Sequence, residues 1–188
     1  MLEFRNVTGV KSIKKRFILK DISFKLEKGY IMGLAGKNGA GKTTLIDYIM
    51  DSKEKYLGEI LVDGENIRKN YPDILNYLGL VSENNIFFEK FTAQQNAELL
   101  GTLYKDWNQE VFEINMEKMG VSRDLAIKRM SRGEYMKFQM AFAMAHKSKL
   151  YLIDEATSKM DPVFRKEFYN IMHEVIEDES ASIILVTH

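Results

Sequence analysis

The sequence contains no cysteine, which excludes disulfide bonds and zinc sites built on thiolates. Lysine and arginine together number 27, as do aspartate and glutamate, so the zero formal charge does not favour nucleic acid as a partner. The longest apolar runs, such as 150–153 and 182–186, are far shorter than the roughly 20 residues that cross a bilayer. The N-terminus lacks the basic and then apolar pattern of a secretion signal. We therefore expect a cytoplasmic protein that does not span a membrane by itself.

The sequence does contain enough apolar residues, 45% of 188, to build one domain with a buried core. Partial alternation of apolar and polar residues from Phe17 to Leu26 predicts a half-buried strand in an antiparallel β element. The nearly continuous apolar run Tyr30 to Ala35 predicts a strand of a parallel sheet, covered on both faces. Two more buried strands are predicted at Leu150 to Ile153 and Ile183 to Val186, with a helix from Pro162 to about Ile176 between them.

The middle of the chain, from about Ala93 to His146, has no proline and repeats apolar residues at helical spacing. It predicts a mostly helical insert, preceded by a strand from Tyr77 to Val81. The fold class is therefore α/β, with a parallel sheet, flanking helices and an antiparallel β element near the N-terminus.

A glycine-rich segment lies between the predicted strand that ends at Ala35 and a helix that starts at Lys42. In such a segment, successive backbone N–H groups cradle a phosphate at the positive end of the helix. The Lys42 ammonium is expected to reach the β- and γ-phosphates of ATP, the Thr43 hydroxyl to bind Mg²⁺, and Thr44 to add a donor. This pattern is a P-loop, whose residues are Gly36, Lys37, Asn38, Gly39, Ala40, Gly41, Lys42 and Thr43.

An acidic pair, Asp154 and Glu155, directly follows the predicted strand Leu150 to Ile153. Asp154 is placed to hold the Mg²⁺ shell, and Glu155 to polarise the attacking water as a general base. This pairing favours hydrolysis of ATP over phosphoryl transfer to a substrate. Two solvated acids at a strand end are the alternative interpretation, which the P-loop makes the weaker one.

Taken in order, the P-loop, MSRGE from Met130 to Glu134, and LYLIDE from Leu150 to Glu155 resemble the ATPase subunits of ATP-binding cassette (ABC) transporters. The resemblance covers essentially the whole chain. It implies a single ABC ATPase domain, with a nucleotide-binding core at 1–86 and 147–188 and a helical subdomain at about 87–146. Because family members generally continue further, we expect that a chain stopping at His188 is truncated.

The resemblance assigns residues 130–134 to the family's signature loop, with Ser131 and Gly133 at its serine and second glycine. It implies a head-to-tail dimer with a second ABC ATPase subunit, in which each signature loop closes over ATP held by the other P-loop. Ser131 also caps a predicted helix from Glu134 to Ala145. The residues implied to bind ATP in trans are Ser131, Arg132, Gly133 and Glu134.

Two further motifs complete the resemblance. SKMD, from Ser158 to Asp161, is similar to the family's D-loop, to which Asp161 belongs. Thr187 and His188 resemble its switch-histidine segment, which implies a catalytic role for His188 at the γ-phosphate. Lys42 and Glu155 are the other catalytic residues that the resemblance implies.

Three positions depart from the family pattern. Arg132 replaces the first signature glycine and either contacts a phosphate, favours pairing with a different ATPase chain, or faces solvent. Glu83 stands where the family has a glutamine that touches Mg²⁺, and is either a metal ligand or an exposed loop acid, with Asn84 as the nearby alternative. The aromatic residue that stacks on adenine has no clear counterpart; Ile13 aligns with it, and Phe17 lies four residues on.

The function implied by the resemblance is that of an ATPase subunit peripheral to the inner face of the cell membrane, where it drives an integral membrane subunit. Phe87, Phe88 and Phe91 follow Glu83 and either line a docking groove for that subunit or lie in the core. The Ser-Arg-Gly variant and Trp107 are similar to ATPases of small bacterial exporters, so we expect export. A soluble ABC ATPase acting on nucleic acid or ribosomes is the alternative.

Overall fold

The computed structural model describes residues 1–10, 18–51, 53–154, 162–177 and 179–187. The predictions for Ile13, Phe17, Glu155, Asp161 and His188 therefore lie outside the described residues. The elements follow in the order β1 (Leu2–Gly9), β2 (Ile22–Leu26), β3 (Ile31–Ala35), α1 (Lys42–Met50), β4 (Tyr56–Val62), β5 (Glu65–Asn66), α2 (Tyr71–Leu75), β6 (Leu78–Ser82), α3 (Ala93–Gly101), α4 (Gln109–Lys118), a 3-10 helix (Ile127–Arg129), α5 (Arg132–Ala145), β7 (Leu150–Asp154), α6 (Pro162–Ile176) and β8 (Ser182–Thr187).

A parallel sheet forms the centre of the molecule, with its strands in the order β3-β8-β7-β6. Every residue of β7 is buried, as expected for a strand with a neighbour on each side. The prediction that the strand before the P-loop is covered on both faces is wrong, because Gly33 and Ala35 are exposed. Among the described residues β3 is an edge strand that pairs with β8 alone.

Side chains of the central strands alternate between two hydrophobic clusters, one on each face of the parallel sheet. Leu150, Leu152 and Ile184 join the cluster that contains α1 and the N-terminal strands. Tyr151 and Ile183 join the other cluster, which contains α5, α6 and the helices of the insert. The predicted helical insert is therefore confirmed, and its helices share a core with the sheet.

The predicted antiparallel β element is also confirmed, as a second sheet with the order β2-β1-β4-β5. The predicted strand from Phe17 was too long, because β2 begins at Ile22. Asp21 directly before it has a positive φ of 50°, a left-handed conformation that interrupts an extended strand. Its partner β1 was not predicted. No helix among the residues that the structure describes is long and apolar enough to cross a membrane.

Candidate nucleotide-binding site

The P-loop connects the end of β3 to the start of α1. Gly39 and Gly41 have φ values of 80° and 94°, which residues with a Cβ rarely adopt, so the turn requires glycine there. Gly41 is also the N-cap of α1 and provides no side-chain cap. The N–H groups of the first helical turn therefore have no capping side chain and can bind an anion at the positive end of the helix.

Lys42 is held over the P-loop by the loop's own carbonyl groups. Its ammonium donates to the carbonyl oxygen of Gly36 at 2.6 Å and to that of Lys37 at 3.3 Å. The side chain is half-buried, whereas Thr43 and residues 37–40 are exposed. The cation is thus already positioned at the loop before a phosphate arrives, which reduces the entropy lost on binding.

The carboxyl ends of the parallel strands bring four chain segments to one edge of the sheet. Ala35 pairs with Thr187, Val186 pairs with Asp154, and Asp154 pairs with Ser82. The P-loop starts directly after Ala35, and Glu83 directly follows Ser82. Parallel strands lie about 4.8 Å apart, so Asp154 lies between the P-loop side of the edge and Glu83.

The donor set at this edge fits Mg²⁺ that is shared with a nucleotide. The described residues include no cluster of three histidine, aspartate or glutamate side chains that could bind a metal by itself. Thr43 offers a hydroxyl and Asp154, which is 9% exposed, offers a carboxylate. Mg²⁺ is commonly bound in this way, through one or two carboxylates together with substrate phosphates and water.

The signature loop, residues 130–134, leads into α5, which begins at Arg132 rather than at the predicted Glu134. The predicted N-cap is Ser131, whose hydroxyl accepts from the Glu134 N–H at 3.2 Å, while the Glu134 carboxylate accepts from the Ser131 N–H at 2.8 Å. Hydrogen bonds from the side chain and the N–H of Ser131 to the carboxylate hold the pKa of Glu134 below its usual value. The capping box fixes the loop at the positive end of the helix.

Packing restricts the residue at Gly133, in the predicted signature loop. A Cβ on this residue would lie 2.9 Å from the ring of Phe164 on α6. Helix α6 therefore packs so closely on the first turn of α5 that a larger residue at position 133 would have to displace the Phe164 ring.

Arg132 and Glu83 form an ion pair between the signature loop and the loop after β6. Their side chains are 29% and 43% exposed, so the pair is partly buried. The interpretation of Arg132 as a merely solvent-facing cation is therefore wrong. Neither residue was predicted to contact the other, because 49 positions separate them in the sequence.

Two residues of α5 that the sequence analysis missed contact the same segment. The Tyr135 hydroxyl donates to Asn85 Oδ1 at 3.1 Å, and burial raises the pKa of Tyr135 to about 12, which keeps the phenol protonated. Gln139 is buried and exchanges two hydrogen bonds with the backbone of Ser82. Spacings of three and seven residues from Arg132 place all three on one helical face, which is the signal that could have identified them.

The three phenylalanines after Glu83 divide between core and surface. Phe87 is buried against Phe138 and Phe142. Phe88 and Phe91 are 49% and 40% exposed and contact each other. Phe87 thus belongs to the core, whereas a docking role for the exposed Phe88 and Phe91 stays a prediction.

A cavity of about 190 Å³ opens beside these rings, between the end of α1, β6, α3 and α5. Its rim carries Ile86, 56% exposed, and Leu103, 73% exposed. Its lining is mostly apolar, and includes Met50, Leu80, Phe87, Leu100, Tyr104 and Phe142.

Comparison with known proteins agrees with this arrangement. Residues 19–158 match the family model of the ABC transporter. The chain is 30% identical over 173 residues to the bacitracin transport ATP-binding protein BcrA of Bacillus licheniformis, covering 89% of this chain and 55% of BcrA. It is 30% identical over 198 residues to the methionine import ATP-binding protein MetN of Clostridioides difficile, covering all of this chain and 61% of MetN.

A solved structure has the same fold. It is the dimeric ATP-binding cassette MJ0796 in a post-hydrolysis state bound to ADP and Pi, with a TM-score of 0.82, 20% identity, and coverage of all of this chain and 88% of that one. The chain spans about three fifths of the length of the curated relatives that it matches. With a family match over most of its residues and with this fold, the chain belongs to the ABC transporter family.

Proposed function

We propose that the chain is the ATP-binding and ATP-hydrolysing subunit of an ABC transporter complex. The observation that carries the proposal is the P-loop between β3 and α1, which lies on the sheet edge that also holds Asp154. The Gly36–Thr43 backbone and the Lys42 ammonium bind the phosphates, and Thr43 and Asp154 hold Mg²⁺. The ion, when bound, neutralises charge on the β- and γ-phosphate oxygens.

Replacement of Lys42 tests nucleotide binding. The Lys42→Ala variant removes the cation that the P-loop positions, so we expect its ATP affinity in isothermal titration calorimetry to fall at least about tenfold, as for the loss of a charged hydrogen bond. Lys53→Ala, at an exposed lysine after α1, is the matched control and keeps the parent affinity. An affinity of Lys42→Ala equal to that of the control would argue against a working P-loop.

For hydrolysis, we propose that Glu155 is the general base that takes the proton of the attacking water and that His188 contacts the γ-phosphate. Glu155 directly follows Asp154 at the end of β7, which supports a position beside the phosphates. Glu155→Gln keeps the shape of the side chain but removes its basicity. We expect this variant to bind ATP and to lose turnover by a factor of about 100 or more, as measured by phosphate release. Undiminished turnover would contradict the role of Glu155.

We further propose that two ATPase subunits form a head-to-tail dimer, in which Ser131, Arg132 and Gly133 of one chain complete the site of the other. The N-terminus of α5 supports this assignment, because the positive end of the helix dipole favours an anion. In the proposed division, residues 1–86 and 147–188 form the nucleotide-binding core, and residues from about 87 to 146 carry the signature loop.

The membrane partner is proposed to dock at the apolar cavity beside Phe88 and Ile86, so that the ATPase lies on the inner face of the membrane. Exposed apolar side chains on one rim suit a protein contact. Export is the proposed direction, on the resemblance of Ser131-Arg132-Gly133 and Trp107 to small bacterial exporters, although relatives of equal identity include one named for import.

A co-purification experiment tests the membrane partner. A polytopic membrane protein encoded beside this chain should be retained by the parent and be lost with Phe88→Asp and Ile86→Asp. Glu117→Gln, an exposed residue of α4 outside the cavity lining, is the control that keeps it. Retention by both the Phe88→Asp and Ile86→Asp variants, or ATPase activity stimulated by RNA, would contradict this part of the proposal.

A further inference from the structure

One face of α5 contacts the end of β6 and the first residues that follow it. Gln139 bonds to the backbone of Ser82, Arg132 pairs with Glu83, and Tyr135 donates to Asn85. This row of contacts runs from the buried end of β6 to the partly exposed start of α5. One end of this row of contacts is fixed, because Gln139 is buried and bonds to the backbone. The other end is the Arg132–Glu83 ion pair, which is partly exposed to solvent.

The two members of the ion pair belong to different nucleotide sites of the proposed dimer. Glu83 directly follows Ser82, which pairs with Asp154, so its backbone lies at the same end of the sheet as the position proposed for Mg²⁺ in its own chain. Arg132 is the first residue of the helix whose N-terminus is proposed to meet the triphosphate bound by the other chain. While the pair is intact, the guanidinium has the Glu83 carboxylate as an anion instead of a phosphate.

We propose that Arg132 and Glu83 are positioning residues that act as a latch between the two nucleotide sites, an inference that rests on the proposed function. With Mg²⁺-nucleotide bound in the P-loop, the Glu83 carboxylate would turn towards the metal, and its ion pair with Arg132 would break. The Arg132 guanidinium could then exchange this carboxylate for the triphosphate of the partner subunit. Occupancy of a chain's own site is thereby transmitted to its own signature loop, 49 residues further along the sequence.

Glu83→Gln is the discriminating variant, because the amide keeps an oxygen for the metal while it loses the charge that pairs with Arg132. We expect amide hydrogen exchange at residues 132–135 of the nucleotide-free variant to be about two- to fivefold faster than in the parent, as for loss of a partly exposed ion pair. Arg132→Gln should speed exchange at residues 83–85 in the same way. Glu167→Gln removes a different ion pair of α5, that with Lys137, and should leave both segments unchanged.

The second part of the experiment measures the same amide hydrogen exchange with added nucleotide. The protein concentration is kept low enough that light scattering detects only monomers. Mg²⁺ with β,γ-imido-ATP should speed exchange at 132–135 in the parent to the level of nucleotide-free Glu83→Gln, and should not speed it further in that variant. The same nucleotide with EDTA should have no effect on this segment.

The outcomes separate the latch from the function on which it rests. If calorimetry detects no binding of β,γ-imido-ATP by the parent, both the proposed function and the latch are contradicted. Binding without the exchange response at 132–135, or with an equal response in Glu83→Gln, would contradict the latch alone. Equal exchange in the nucleotide-free parent and both latch variants would contradict the ion pair itself.

Discussion

At the scale of single residues, Gly133 shows how packing and proposed function can require the same amino acid. Alanine in a helix is normally about 1 kcal/mol more favourable than glycine, but here its Cβ would lie 2.9 Å from the Phe164 ring. We therefore expect Gly133→Ala to lower the free energy of unfolding by about 1–3 kcal/mol in urea titrations, as overpacking does.

Two variants make the prediction for Gly133 specific. Gly33→Ala, in β3 where no atom lies within 4 Å of the added Cβ, should keep the stability within about 0.5 kcal/mol of the parent. Adding Phe164→Leu to Gly133→Ala should recover part of the loss by making room. If the single Gly133→Ala variant is as stable as the parent, α6 can move away from the added methyl group without lowering the free energy of unfolding.

His146 makes the stability of the fold depend on pH. It is 2% exposed, stacks on Tyr104, and places Nε2 at 3.1 Å from the Leu78 carbonyl oxygen and 2.6 Å from Ser148 Oγ. Burial lowers the pKa of His146 from 6.5 to about 4. The unfolded chain therefore binds a proton between these two values that the folded chain does not, and folding loses free energy as the pH falls from 6.5 towards 4.

The size of this effect follows from the separation of the two pKa values, on the order of 3 kcal/mol between pH 7 and pH 4. His146→Gln removes the titration, so the slope of the unfolding free energy against pH should be smaller in the variant than in the parent in this range. Urea titrations at pH 7.5, 6 and 5 measure the two slopes. Parallel slopes would mean that His146 is protonated in the folded state as readily as in the unfolded one.

At the scale of elements, α3 and α5 begin with the same capping box but in different surroundings. Thr92 and Gln95 cap α3 as Ser131 and Glu134 cap α5. Replacing either N-cap with alanine should cost about 1 kcal/mol of stability. Only Ser131→Ala should also weaken nucleotide-dependent dimerisation, which analytical ultracentrifugation with Mg²⁺ and β,γ-imido-ATP measures. Equal dimerisation by Thr92→Ala and Ser131→Ala would remove the signature loop from the interface.

The elements predicted correctly from sequence are those whose signal is local. The buried run at β7 and the proline at the start of α6 each specify an element without reference to the rest of the chain. The β4–β5 hairpin also carried a local signal, since Asp63 and Gly64 follow the apolar residues Ile60 to Val62, yet it was not predicted. The exposure of β3 had no such signal, because it depends on which strands lie beside it.

The residues of the candidate site also divide into those with a local signal in the sequence and those without one. The glycines and Lys42 were identifiable because a phosphate cradle needs consecutive residues. Gln139 and the pairing of Arg132 with Glu83 were not, because their partners are distant in sequence and meet only when α5 packs on β6. The sequence shows the departures from the family pattern at positions 83 and 132 separately, but it does not indicate that these two oppositely charged side chains form an ion pair.

At the scale of the whole molecule, a head-to-tail dimer predicts that two inactive variants can restore activity when they are mixed, which sites built within one chain do not predict. Each composite site would combine one chain's Lys42 with the other chain's Ser131. We expect Lys42→Ala and Ser131→Ala to be strongly impaired in ATP hydrolysis when each is assayed alone. A mixture of the two forms dimers in which the Lys42→Ala chain provides an intact signature loop and the Ser131→Ala chain an intact P-loop.

When the two variants are mixed in equal amounts, random exchange of subunits makes about half of the dimers mixed. Each mixed dimer has one intact site of two. If the sites act independently, the mixture should therefore recover about a quarter of the parent's phosphate release. Mixing Lys42→Ala with the Lys42→Ala/Ser131→Ala double variant is the control, since no dimer in it contains an intact P-loop and activity stays at the level of Lys42→Ala alone. Recovery below that fraction, but above the control, would indicate that each site depends on occupancy of the other, as the Arg132–Glu83 latch requires. No recovery above the control would instead mean that Lys42 and Ser131 do not meet across two chains, which would leave the capped N-terminus of α5 without its proposed phosphate.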